Sequence, residues 1–180
     1  MHRTLVATLF IATLATPLVS FAGAQRGIPA RAEQRIQDEV RHQILMLPYY
    51  NVFDIINFKV EGYNVTLSGA VTNPTVKSSA EAVVKRIEGV EKVDNRIEVL
   101  PLSNMDRQLR LRLFRAIYGY GALQRYDLSV QKPFRIIVKN GNVTLEGVVN
   151  SEADKNLVTI RAKGVSGVFS VTNNLKVVKP

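Results

Sequence analysis

The chain has 180 residues, no cysteine, two histidines and a formal net charge of +9. The missing cysteine excludes disulfides, thiolate metal sites and a lipid-modified cysteine. The length allows one ordinary domain or two small ones.

Arg3 precedes an apolar run from Leu5 to Leu18, and Ala22-Gly23-Ala24 has the A-x-A form of a cleavage site. Residues 1–24 therefore read as a secretory signal peptide, too short and Thr-rich in its apolar part to read as a membrane span. The expected product is periplasmic or secreted. Residues 25–32 contain Gly27, Pro29 and two arginines and read as a flexible lead-in. Ile36, Val40, Ile44 and Leu47 recur at helical spacing, which predicts a helix from Glu33 to about Leu47, ended by Pro48. A short loop leads to a strand over Asp54–Val60, a tight turn at Glu61-Gly62 and a second strand over Tyr63–Val71. Alternation puts Val65, Leu67, Gly69 and Val71 of that strand on one face. Asn73 has the form of an N-cap with Pro74 at the first helical position. The helix that follows runs to about Glu88, Gly89 terminates it, and Lys92–Leu100 is a third strand.

The remainder repeats this plan. Ser103-x-x-Asp106 and Ser151-x-x-Asp154 have capping-box spacing ahead of helices. Asn140-Gly141 joins strands Phe134–Lys139 and Asn142–Val149 as a two-residue hairpin turn. Asn64 to Val99 aligns with Asn142 to Val177 without a gap, with 13 identities over 36 paired positions. A supersecondary unit is present in two copies, 33–101 and 103–180. Each unit reads helix, strand, strand, helix, strand: a three-stranded mixed sheet packed on two helices, of α+β class. The link over Leu100–Asn104 is short and carries Pro101, which holds the units close.

The N-V-T-L-x-G-x-V strand, the helix after it, the pairs Gly89-Val90 and Gly167-Val168, and Val93-x-Asn95 with Val171-x-Asn173 resemble the BON domain. The resemblance covers both copies. It implies an exported bacterial envelope protein of the dual-BON type, associated with phospholipid binding and tolerance of osmotic or envelope stress.

The matching mid-strand glycines Gly69 and Gly147 mark a bulge or a close approach by a packed helix. Asn95 and Asn173 share strand parity with the valines around them and are expected to bond local backbone or cap a bulge. With Gly89 and Gly167 these are read as structural positions.

Charge separates the copies. Gln25–Leu102 carries ten basic and ten acidic residues, whereas Ser103–Pro180 carries thirteen against five. An anionic partner for the second copy follows, and export argues against nucleic acid. On the helix after Ser103, Leu109, Leu113, Ala116, Ile117 and Tyr120 form the expected core stripe. A second stripe holds Leu111, Phe114 and Tyr118, flanked by Arg107, Arg110 and Arg115. The first copy has Asp38, Arg41 and Leu45 at the stripe positions. Apolar side chains rimmed by arginines suit an anionic phospholipid surface, and the longer loop Gly119–Phe134 adds Arg125, Tyr126 and Lys132. The alternative is that the same face packs against the first domain, an envelope protein or a wall polymer, because a helix apolar on both sides is usually buried. Only His42 remains after the signal, and no phosphate loop, metal-ligand spacing or paired carboxylates appear. The expectation is a protein that is not an enzyme and takes no cofactor, metal or small-molecule substrate.

Overall fold

The computed structural model of the chain describes residues 30–129 and 131–178, so the expected signal peptide and most of the lead-in lie outside the described residues. Helix α1 (Ala30–Leu45) begins three residues before Glu33 and buries Ile36, Val40 and Ile44. Strands β1 (Ile55–Glu61) and β2 (Asn64–Val71) pair antiparallel, and α2 (Pro74–Lys85) follows. Asn73 caps α2 by accepting a hydrogen bond from the Thr75 amide, with Pro74 in the first turn. The third strand is broken at Arg96-Ile97 into β3 (Lys92–Asn95) and β4 (Glu98–Val99), both parallel to β2. The sheet is mixed, and its valines and isoleucines close on α1 and α2.

The second unit repeats the order with α3 (Asn104–Tyr118), a 3₁₀ helix (Gly121–Tyr126), β5 (Phe134–Lys139), β6 (Asn142–Val149), α4 (Glu152–Lys163) and β7 (Ser170–Val177). β5 pairs antiparallel and β7 parallel with β6, giving a second three-stranded mixed sheet. The protein is therefore two tandem α+β units. Asn140 (φ 51°) and Gly141 (φ 76°) make the two-residue hairpin turn.

Both capping serines act as read: Ser103 accepts from the Asp106 amide and Ser151 from that of Asp154. The two aspartates reach further than a capping box requires. Asp106 is buried and accepts from the Asn140 and Gly141 amides at 2.8 and 2.9 Å, clasping the β5–β6 turn to the start of α3. Asp154 accepts from the Tyr126 hydroxyl at 2.8 Å, the Ser151 hydroxyl at 2.7 Å and Arg125.

Gly69 (φ +118°) and Gly147 (φ +129°) sit in continuous register, so neither is a bulge. The close neighbour is also not a helix. A Cβ on Gly147 would lie 2.4 Å from the Pro133 carbonyl oxygen, and one on Gly69 would lie 2.2 Å from that of Ile55. The adjacent strand's backbone fills the space a side chain needs. Asn95 and Asn173 tie strand to helix: Asn95 Nδ2 donates to the Lys77 carbonyl and Asn173 Nδ2 to that of Lys155, both at 3.1 Å. Each side-chain oxygen accepts from the amide two residues on.

Candidate functional site

Phe114 and Tyr118 of the α3 stripe expected to face lipid, with the flanking Arg110, instead lie along the edge of the second sheet. Strand β5 is an edge strand, and three of its outward groups, the Phe134 carbonyl, the Ile136 amide and the Val138 carbonyl, find partners. Unpaired edge groups invite association with other strands unless something covers them. Tyr118 donates from its hydroxyl to the Phe134 carbonyl at 2.6 Å, and Arg110 donates from Nη2 to the Val138 carbonyl at 2.7 Å. Between them, the Ile136 amide donates to the Val52 carbonyl of the first unit at 2.9 Å. Arg110, Phe114 and Tyr118, spaced by four, lie along this edge because such residues stack on one helix face.

Burial follows from that role. Tyr118 is 1% exposed, with its ring stacked on Phe134 at 4.7 Å, and burial drives its hydroxyl pKa far up. Arg110 is 7% exposed, and burial lowers its pKa while the more distant charges of Asp106 and Asp54 raise it. Phe114 is half-buried and meets Phe53 of the first unit edge-on at 6.3 Å. These three residues therefore do not form the exposed face expected of them. Arg135 adds to the junction, with its guanidinium 4.7 Å over Tyr50 and Nη1 donating to the Asn51 carbonyl. Lys139 pairs with Glu98 at 2.6 Å.

Two further expectations change. Tyr120 leaves the core stripe and lies exposed under Arg161, 4.6 Å from its guanidinium carbon. The longer loop of the second unit does not extend a surface with Tyr126, because the 3₁₀ helix drives Leu123 and Tyr126 into the core. Tyr126 accepts from the Asn150 amide and donates to Asp154. Arg125 reaches solvent but pairs with Asp154. Burial raises the Asp154 carboxyl, yet hydrogen bonds from Ser151, Tyr126 and Arg125 outweigh it and hold the group below the usual carboxylate range.

An exposed amphipathic face does exist, displaced around α3. Arg107, Leu111 and Arg115 of the expected set remain on it, with Leu111 47% exposed. Arg112 joins them, and Leu102 (98% exposed), Met105 and Phe169 (83% exposed) stand at the same end. Met105, Arg112 and Phe169 line one depression beside the β5–β6 turn. Phe169 is held there by its amide, which donates to the Gly141 carbonyl at 2.9 Å, and by its ring lying over Gly141. The repeat carried a signal for two of these residues. In the repeat registers Phe169 corresponds to Glu91, and Arg112 to Glu39, so an acid in the first copy stands where the second has a ring and a cation.

Among the described residues there is no group of acidic and histidine side chains able to hold a metal ion, and no helix is long and apolar enough to cross a membrane.

The BON domain family pattern matches residues 32–101 and 122–179, leaving α3 outside the second match. Osmotically-inducible protein Y of Escherichia coli (strain K12) is 28% identical over 132 residues, covering 67% of this chain and 61% of that protein. The match thus spans less than two thirds of the relative's length. A structure of CdsD, a structural protein of the type III secretion system of Chlamydia trachomatis, aligns over 81% of this chain and 93% of its own at 12% identity. Its TM-score is 0.29, and that of the CdsD C-terminal domain is 0.28 at 14% identity over 78% of this chain and 96% of that one, too low for either to bear on the fold.

Proposed function

Because the chain belongs to the BON-domain family, we propose that it is a non-enzymatic exported envelope protein whose second unit docks reversibly on anionic phospholipid, in envelope maintenance or stress tolerance. The supporting observation is the exposure, on and next to α3, of Leu102, Met105, Leu111 and Phe169 together with Arg107, Arg112 and Arg115. Exposed apolar side chains can enter the headgroup region while guanidinium groups bind phosphate around them. Each arginine near an anionic surface contributes about 1 kcal/mol, so three arginines and a few partly inserted apolar groups give reversible binding. The osmotic inducibility that names the Escherichia coli relative links this reading to osmotic stress. Periplasmic location rests on the signal-like residues 1–24.

Co-sedimentation of the full chain with vesicles tests it. Arg112→Ala with Arg115→Ala removes about 2 kcal/mol, a loss of roughly 30-fold in partitioning. Binding that is indifferent to anionic lipid content, or unchanged in this double variant, defeats the reading.

A second reading, an interaction module whose helix serves the first domain, is favoured by the Phe53–Phe114 contact and the Val52–Ile136 hydrogen bond. The two are compatible, since the residues that meet the first unit and those that face solvent differ.

A further inference from the structure

A cleft of about 660 Å³ opens where the two units meet the linker, lined by Phe53 and Thr72 from the first unit and by Leu102, Arg107, Arg110 and Leu111. Its volume falls in the range of small-molecule sites, about 300–1,000 Å³. The walls are chiefly apolar, and one of the polar groups among them is a buried cation. Arg110 uses Nη2 on the Val138 carbonyl, while its Nε has no acceptor among the described residues. A buried guanidinium ordinarily has its donors satisfied, and one left open is a costly feature without a partner.

The two nearby carboxylates do not serve it. Asp54 is fully buried and accepts from the Thr72 amide and hydroxyl and the Asn51 amide. Asp106 is turned to the Asn140 and Gly141 amides. Both are occupied by these donors, and neither hydrogen-bonds Arg110, whose guanidinium keeps a free donor on the cleft wall. Arg107 stands on the cleft wall as a second, exposed cation, and Leu102 and Leu111 lead from the cleft to solvent.

We propose that this cleft binds a single-chain amphiphilic anion, with its carboxylate or phosphate head directed to Arg110 and Arg107 and its acyl chain along Phe53, Leu111 and Leu102. The guanidinium fork matches either head, and one apolar chain suits a cleft of this size and lining. The site is distinct from the docking face, although Leu102, Arg107 and Leu111 border both.

Isothermal titration calorimetry of the full chain below micelle-forming concentrations tests this with four twelve-carbon probes: dodecanoate, dodecyl phosphate, dodecanol and dodecyltrimethylammonium. The two anions are expected to bind at one per chain, at least tenfold more tightly than the alcohol or the cation; their relative affinities show which head the site prefers. Arg110→Leu removes the preference for an anionic head. Leu111→Glu, at a half-exposed helical position, weakens both anions at least tenfold and guards against a folding defect in the first variant. Arg115→Glu, outside the cleft, lowers vesicle binding and leaves the anion titration unchanged, so failure of the docking reading is distinguishable from failure of this one. No binding, binding of several molecules per chain, or equal affinity for the three head charges overturns the proposal.

Discussion

Asp154 holds the second unit together in a way that can be measured by removing its charge. The carboxylate is buried and ties the 3₁₀ helix to α4 through Tyr126, while Arg125 and Ser151 complete its shell. A hydrogen bond to a charged group contributes about 1.5–3 kcal/mol, the helix-terminal position adds about 0.5, and the exposed Arg125 partner counts for little after solvent screening. Asp154→Ala should therefore cost about 3 kcal/mol, and Asp154→Asn about 2, since the amide oxygen still accepts one bond. The carboxyl is held below its usual range, so its folded pKa lies under its unfolded value. That contribution is complete above the unfolded carboxylate range and fades as the pH falls through the folded value. Urea unfolding at neutral pH and at about pH 3 reads both effects. The gap between the natural protein and Asp154→Asn should be widest near neutrality and shrink in acid. A neutral-pH gap under about 0.5 kcal/mol, or one that widens in acid, refutes the reasoning.

Three more outcomes follow from the same geometry. Gly147→Ala should lower the melting temperature by the equivalent of about 2–3 kcal/mol, because both its φ and the Pro133 carbonyl oppose a Cβ. Tyr118→Phe should cost about 1 kcal/mol by leaving the Phe134 carbonyl open, and it should leave vesicle binding unchanged, since the residue is buried. A double-mutant cycle on Phe53→Ala and Phe114→Ala should return a coupling of about 1 kcal/mol in urea unfolding, while Phe53→Ala with the distant Ile160→Ala should be additive.

The fold was legible because the chain states it twice in local signals: Asn73-Pro74, Asn140-Gly141 and the two Ser-x-x-Asp caps each act where their chemistry places them. The site was half legible. A helical wheel separates a core stripe from everything else, but it cannot distinguish a face toward solvent from a face against a sheet edge. Arg110, Phe114 and Tyr118 look amphipathic and exposed by periodicity, yet their partners are backbone groups of β5 and a ring from another unit. Those partners lie 16 to 61 residues away in sequence, beyond any local pattern. Burial of Tyr126 is equally invisible to local pattern, because its tie to Asp154 spans 28 residues and polar loops usually read as surface. Phe169 and Met105 lie outside the Leu111–Phe114–Tyr118 stripe, so its periodicity carries no signal for them, although the repeat pairs Phe169 with Glu91.

The absence of cysteine makes one measurement especially clean, since a single introduced thiol labels one site. An environment-sensitive fluorophore at Met105→Cys or Phe169→Cys should shift to the blue and brighten on vesicles rich in anionic phospholipid. The same label at exposed Met46→Cys, on the first unit, should not respond. Unchanged spectra at residues 105 and 169, or an equal response at residue 46, would contradict docking through the second unit.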